Sequence, residues 1–246
     1  MNELLLGTPT WVNPEPPETG DVIFFLDMDQ GKETINDRPI QLSGGAVFTK
    51  DHLVNGKGSL SCPSVYSHFL MNLNPVINLG GTSWTIEWWD EIVGDVNVWT
   101  NMLYLSNANG LYGVMMRIGD AGYGGWPLLC EASTGNDATR NEGRVMLRAS
   151  NYGRRLTHHA ITCTKDGKIR YWFNGVKQNI QLYLSSSTNQ PVLDHMQVKS
   201  PANLDNLNTL HLGGWTAYAN NVPRFYGNLR MCNYLKYATN FLPEPF

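Results

Sequence analysis

Three carboxylates lie close together in the chain, at Glu87, Asp90 and Glu91. Two carboxylic acids that flank a glycosidic bond can hydrolyse it when their carboxyl groups are roughly 5–9.5 Å apart. The surrounding residues favour a strand, which would place Glu87 and Glu91 on one face at roughly 13 Å and Asp90 on the other. This spacing is too wide for a catalytic pair on one strand, so we predict an exposed-face or strand-end role for these acids.

Two adjacent histidines, His158 and His159, are the next candidates for chemistry. In a strand they would point to opposite faces, so they cannot chelate one metal ion together, and we expect one to pack inside and the other to face outward. No serine has the Gly-x-Ser-x-Gly setting of an acyl-transfer nucleophile, and the glycine-rich residues 119–126 lack the lysine of a phosphate loop. The sequence therefore predicts no catalytic residue, no metal ligand and no cofactor.

Aromatic and amide side chains are concentrated in two glycine- and asparagine-rich segments. Exposed aromatic rings with neighbouring amides can stack on a sugar and hydrogen-bond to its hydroxyls, and they also suit protein interfaces. We favour interface burial over glycan contact because the charge-poor composition indicates a surface covered by partners. These candidate glycan- or partner-binding residues are Tyr123, Trp126, Trp215, Tyr218, Asn220 and Asn221.

The elements that must position these residues are strands, and residues 157–177 show this most clearly. Two runs of β-favouring residues are joined by Lys-Asp-Gly at 165–167 and closed by Asn-Gly at 174–175, which are typical hairpin turns. In the second run Ile169, Tyr171 and Phe173 share one face, and Trp172 lies on the other. This alternation predicts an antiparallel sheet with one face on a core and the other at or near solvent.

Similar patterns recur along the rest of the chain, with turn residues between them and almost no helical periodicity. Residues 119–143 and 185–207 interrupt this rhythm, and we predict long loops there. The other predicted strands are residues 21–28, 56–62, 83–92, 102–105, 112–118, 145–149, 181–184, 210–215 and 225–233.

The first twenty residues differ from the others, because four prolines make a regular helix or a central strand unfavourable there. Two interpretations remain open: a disordered leader, or an extended arm that docks on a neighbour. We predict domains of residues 1–20, the arm, and 21–246, the β-sandwich. The docking residues of the arm would be Leu4, Leu5, Leu6 and Trp11.

Composition narrows the function classes. A formal net charge of −3 argues against nucleic-acid binding, which needs a basic stripe. No run approaches the roughly eighteen apolar residues of a membrane span, and no secretory leader is apparent, so we expect a soluble protein made in the cytosol. The four cysteines form no C-x-x-C pair, and we expect buried free thiols, with disulfides as the alternative.

Six segments, in this order, resemble the concanavalin A-like, laminin-G-like jelly-roll family. The C-terminal residues 237–243 (Tyr-Ala-Thr-Asn-Phe-Leu-Pro) are also similar to the ending common in members from tailed bacteriophages. Where many members have Asp-Asp in a Gly-x-Leu-Asp-Asp strand, this chain has Asn228-Leu229-Arg230, so the occasional calcium site of the family is not expected. The six segments are residues 24–27, 56–60, 85–89, 158–175, 210–214 and 225–231.

The resemblance implies an all-β fold, a two-sheet antiparallel jelly-roll sandwich behind the N-terminal arm. It also implies a non-enzymatic structural or adhesive protein of a phage particle, such as a capsid decoration protein or a head or tail fibre module. Its partners would be other virion proteins, possible host cell-surface glycans and further copies of itself, and its location the virion. The alternatives are a stand-alone carbohydrate-binding lectin and, less favoured, a glycoside hydrolase on the same fold.

Overall fold

The chain crosses repeatedly between two antiparallel β-sheets, whose strands we number in chain order. The computed structural model describes residues 20–93, 100–107, 112–118, 127–134, 144–148, 156–182, 192–198, 204–213 and 222–246. The first sheet contains β1 (Val22–Asp27), β2 (Lys32–Glu33), β4 (Val47–Val54), β5 (Lys57–Cys62), β7 (Trp84–Ile92), β12 (Leu156–Cys163), β13 (Lys168–Phe173), β14 (Val176–Lys177), β17 (Met196–Gln197) and β19 (Arg224–Cys232). The second contains β3 (Ile40–Ser43), β6 (His68–Ile77), β8 (Thr100–Ser106), β9 (Tyr112–Ile118), β10 (Pro127–Thr134), β11 (Arg144–Arg148), β15 (Ile180–Leu182), β16 (Val192–Leu193) and β18 (Leu207–Gly213).

The inner faces of both sheets contribute to one hydrophobic core. Alternate residues of β7 point inward, among them Trp84 and Trp88, and they meet residues such as Met71 of β6 and Leu105 of β8 in the same cluster. Each large apolar side chain buried in this way contributes roughly 1.5–3 kcal/mol to folding. The predicted two-sheet antiparallel sandwich is confirmed.

The hairpin turns follow the predicted chemistry. Asn174 and Gly175 both have positive φ, 47° and 76°, which a two-residue turn between twisted strands requires. Asn55 and Gly56 repeat this arrangement between β4 and β5, with φ of 53° and 78°.

Two predicted loops contain strands, and the strands β3, β4 and β6 were missed. Residues 119–143 are not one long loop, because β10 spans Pro127–Thr134 within them. Residues 185–207 likewise include β16 and β17. The ten-residue strand β6 was missed, although its buried Phe69, Met71 and Leu73 alternate with more exposed residues. Its Pro75 counts against a strand in sequence patterns.

A third layer covers the outer face of the first sheet. Residues 233–246, which we call the C-terminal segment, lie over β7, β12, β13 and β19. One consequence is that Trp172 is fully buried against Phe241, which lies 5.8 Å from it between ring centroids. The expectation that this face of the hairpin lies at or near solvent was therefore wrong.

The described cysteines Cys62, Cys163 and Cys232 are buried free thiols, as expected. Burial raises the pKa of Cys62 to about 12, so it remains protonated at neutral pH.

Candidate functional site

The strands that precede the two predicted binding segments, residues 119–126 and 214–221, finish at the same end of the sandwich. We call this end the loop end. Leu212 of β18 lies opposite Leu103 of β8, and Leu103 lies opposite Met116 of β9. β18 and β9 therefore finish at the same end of the second sheet, with the start of β8 between them. Two strand spacings, roughly 10 Å, separate β18 from β9 across the sheet.

The first sheet shares this end, because the hydroxyl of Tyr226, near the start of β19, donates to the carbonyl of Met102, near the start of β8, at 2.8 Å. Arg224, the first residue of β19, pairs with Ile92, the last of β7, and with Cys62, the last of β5. The backbone N–H of Val93 donates to the carbonyl of Pro223 at 2.9 Å, which ties the strand ends together just beyond β7.

The predicted contact residues stay predictions, because residues 119–126 and 214–221 lie outside the described residues. Their flanking strands end at Ile118 and Gly213, both at the loop end. The candidates without a described position are Tyr123, Trp126, Trp215, Tyr218, Asn220 and Asn221. The arm residues Leu4, Leu5, Leu6 and Trp11 also lie outside the described residues.

Exposed apolar side chains concentrate at the loop end, and sequence reasoning missed them. Tyr66 is 68% exposed and Val47 is 52% exposed, and both belong to chain segments next to the end of β5. Val65, Val93 and Leu156 are also exposed at this end. The sequence signal for this site is the apolar pair Val65-Tyr66 in the connection between β5 and β6. Because β6 was not predicted, the pair could not be recognised as part of a connection.

The backbone around Tyr66 is held firmly. The hydroxyl of the buried Ser67 donates to the carbonyl of Gly44 at 2.6 Å. A Cβ atom at Gly44 would lie only 2.1 Å from the carbonyl oxygen of Tyr66, and its φ is +62°, so this position requires glycine. Tyr66 is therefore presented on a fixed turn, which lowers the entropy lost on binding.

The carboxylate of Glu87, the first candidate of the sequence, is fully buried. Its Oε1 accepts from Arg230 Nε at 2.7 Å and from Lys236 Nζ at 2.8 Å. Its Oε2 accepts from the hydroxyl of Tyr237 at 2.6 Å, and His158 Nε2 lies 3.3 Å away. The expectation of an exposed face was wrong, because the C-terminal segment covers this carboxylate and supplies two of its partners.

The electrostatics of this cluster keep Glu87 ionised. Burial alone would raise the pKa of Glu87, but the hydrogen bond from His158 and the charges of Arg230 and Lys236 hold it well below its ordinary value. Burial lowers the pKa of His158, so the ring is neutral at pH 7. Burial and the nearby Glu87 charge raise the pKa of Tyr237. A carboxylate that is ionised, saturated with donors and covered can anchor a segment but has no room for a substrate.

Asp90 lies on the opposite face of β7, as predicted, and inside the core. Its Oδ1 is 2.9 Å from His159 Nε2, and His159 Nδ1 is 2.6 Å from the hydroxyl of Tyr171. His158 and His159 do point to opposite faces, but the expectation that one faces outward was wrong, since both are fully buried.

Glu91 points to the outer face and pairs with His52, whose Nε2 is 2.8 Å from its Oε2. The three acids Asp90, Glu87 and Glu91 are thus divided between the core, the covered face and a surface pair. Among the residues that the structure describes, no group of His, Cys, Asp and Glu side chains could hold a metal ion. The same residues include no helix long and apolar enough to cross a bilayer.

No protein-family model matches the sequence, and no curated protein matches it. Solved structures do share the fold. The botulinum neurotoxin serotype D binding domain aligns with a TM-score of 0.58 at 11% identity, over 89% of this chain and 48% of that one. The serotype G binding domain aligns with a TM-score of 0.57 at 10% identity, over 87% and 48%.

A third structure is the serotype D ligand-binding domain in complex with N-acetylneuraminic acid. It aligns with a TM-score of 0.56 at 12% identity, over 89% of this chain and 48% of that one. The chain thus spans about half the length of these neurotoxin domains, and at such identities the likeness concerns the fold.

Proposed function

We propose that this chain is a non-enzymatic adhesive or structural protein that binds its partners through the loop end. The observation that carries the proposal is the concentration of exposed apolar side chains, Tyr66 foremost, at the end where β9 and β18 also finish. The loops of a rigid sandwich are the usual place for binding residues, and a rigid scaffold presents them at low entropic cost.

The chemistry of the loop end suits both proteins and glycans. A patch of large exposed side chains with polar surroundings is typical of an interaction surface. A tyrosine ring offers a flat apolar face and a hydroxyl, which can stack on a sugar ring or fill a pocket in a protein. The tryptophans of residues 119–126 and 214–221 would enlarge the same surface.

The solved structures of similar fold support binding over catalysis. They are described as binding domains, and one holds N-acetylneuraminic acid. We propose that host cell-surface glycans, acidic sugars among them, are one class of ligand for the loop end.

The assignment to a phage particle is a more specific proposal. It is supported by the resemblance of residues 237–243 to the C-terminal ending of jelly-roll family members from tailed bacteriophages. In this proposal the chain is a virion protein, made in the host cytoplasm, that decorates a capsid or belongs to a head or tail fibre. Residues 1–20 would dock on neighbouring virion proteins, residues 21–246 would form the sandwich, and repeated sites on a particle would favour homo-oligomers.

Mass spectrometry of purified virions tests the particle assignment. A copy number in the hundreds would indicate shell decoration, a handful would indicate a fibre or tail part, and absence from the particle would contradict it.

A stand-alone lectin is the second candidate, favoured by the sugar complex of a similar fold. A glycan array with the full chain and a Trp126→Ala/Trp215→Ala double variant tests glycan binding itself. If the wild type binds a glycan saturably and the double variant does not, the glycan role is supported. If the chain binds glycans but is absent from virions, the lectin is favoured. No binding to any glycan would leave only the protein-contact role.

A further inference from the structure

A small cleft lies beside the loop end, where the turn between β1 and β2 crosses β4. Its volume is about 220 Å³, and its lining includes Asp29, Gln30, Gly31, Phe48 and Lys50. Phe48 pairs with Leu60 of β5, which in turn pairs with Tyr226 of β19. Tyr226 lies two residues after Arg224, the residue of β19 at the loop end. The cleft is a separate site, and it does not depend on the function proposed above.

The turn that forms one wall of the cleft is fixed by hydrogen bonds from three directions. The backbone N–H of the buried Met28 donates to Asn228 Oδ1 at 2.8 Å. The carboxylate of Asp27 accepts the backbone N–H of Asp29 at 2.9 Å, and Asp29 Oδ1 accepts that of Gly58 at 3.1 Å. The wall is therefore preformed, which lowers the cost of binding.

The polar groups of the cleft form an ion pair that stays open to solvent. Asp29 Oδ2 lies 3.3 Å from Lys50 Nζ, and their side chains are 40% and 70% exposed. An exposed pair of this kind contributes little to stability. It does place a strong acceptor beside a strong donor, with the half-buried ring of Phe48 as apolar surface next to them.

We infer that this cleft binds one neutral sugar ring. Two adjacent hydroxyls can donate to the carboxylate of Asp29 and accept from the ammonium of Lys50, while the C–H face of the ring contacts apolar surface. The volume is below the roughly 300–1,000 Å³ of pockets that enclose drug-sized ligands, so a single ring fits and a longer glycan would extend into solvent.

The charges around the cleft do not favour an acidic sugar over a neutral one. The hydrogen bond from the Gly58 N–H and the charge of Lys50 hold the pKa of Asp29 below its ordinary value, so the carboxylate is ionised at neutral pH. The ion pair has no net charge, and an acidic sugar would bring a second carboxylate next to Asp29.

Titration of the isotope-labelled full chain with D-galactose, D-mannose, D-glucose and N-acetylneuraminic acid, followed by amide NMR, tests the inference. We expect at least one of the three hexoses to shift the amide signals of Gly31 and Gly58 saturably. Lys50→Ala should weaken this binding about fivefold, the effect of one lost hydrogen bond.

Lys57→Ala is the matched control, because Lys57 also acts on Asp29 through its charge but does not line the cleft. It should change the affinity less than twofold. The inference is overturned if no hexose shifts these amides, if only N-acetylneuraminic acid does, or if Lys50→Ala binds like the wild type. Loop-end variants such as Tyr66→Ala should leave the titration unchanged, so this result is independent of the loop end.

Discussion

The covered outer face of the first sheet and the loop end use opposite kinds of side chain for opposite purposes. The covered face holds a cluster of charged side chains around Glu87, yet this carboxylate is inaccessible and saturated with partners. The loop end, in contrast, exposes more than half of the surface of Tyr66 and of Val47. The comparison teaches that a cluster of titratable residues marks function only where a ligand can reach it.

The largest expected effect is the loss of the Glu87 anchor. Glu87→Ala leaves Arg230 and Lys236 mostly buried without their carboxylate, which should lower the free energy of unfolding by about 3 kcal/mol. Urea denaturation of Glu87→Ala against the control Glu91→Ala, whose side chain is 27% exposed, measures this difference. Equal and small losses in both variants would show that the cluster does not anchor the C-terminal segment.

A second substitution tests the cover itself. At Gly175 an added Cβ would lie 1.8 Å from the carbonyl oxygen of Phe241, and φ is +76°. Gly175→Ala should cost about 2–3 kcal/mol and speed proteolysis within residues 233–246, because strain and a steric clash add. Gly56→Ala is the matched control, since its φ is +78° with nothing within 4 Å, and it should cost only the strain, about 1 kcal/mol.

Acid should weaken the fold through two histidines, one fully buried on the covered face and one half-buried in the second sheet. Burial lowers the pKa of His158 in the folded protein, and it lowers that of His211 in β18 from 6.5 to about 4. Below pH 6.5 the unfolded chain therefore binds more protons than the folded one. The stability that is fully present above pH 6.5 is lost as the pH falls towards 4, by on the order of 2 kcal/mol.

Thermal unfolding of His158→Gln and His211→Gln between pH 7 and 4 separates the two contributions. Each variant should show a smaller loss than the wild type over this range. A wild-type stability that stays constant down to pH 4 would contradict the assignment of both rings as neutral.

The smallest expected effect on folding is at the loop end. Tyr66→Ala should change the free energy of unfolding by less than about 0.5 kcal/mol, as for other exposed side chains. A loss of several kcal/mol in a urea titration would mean that Tyr66 supports the fold, and the contrast between the two regions would fail.

The sequence predicted those elements whose evidence is local. β7, β9 and β19 have alternating patterns close to their observed bounds, and Asp-Gly and Asn-Gly located the turns around β13. The start of β10 at Pro127 hid that strand, since proline usually lies outside sheets.

The covered face could not be predicted because its contacts are distant in sequence. Glu87 meets Tyr237 across 150 residues, and no local pattern in β7 distinguishes a carboxylate that faces water from one that faces a distant lysine. For the same reason Trp172 and one of the two adjacent histidines were expected nearer to solvent than they are. Tyr66 could not be recognised as a site because its exposure depends on where β5 ends and β6 begins.

The central claim is that the loop end binds and the covered face only supports. The most direct test is a side-by-side glycan array and virion-protein binding assay of the wild type, Tyr66→Ala and Leu53→Ala, whose substituted leucine is 55% exposed away from the loop end. We predict that Tyr66→Ala weakens binding to at least one partner class tenfold or more, as for a central contact residue, while Leu53→Ala binds like the wild type. Equal binding by all three proteins, or none by the wild type, would contradict the account.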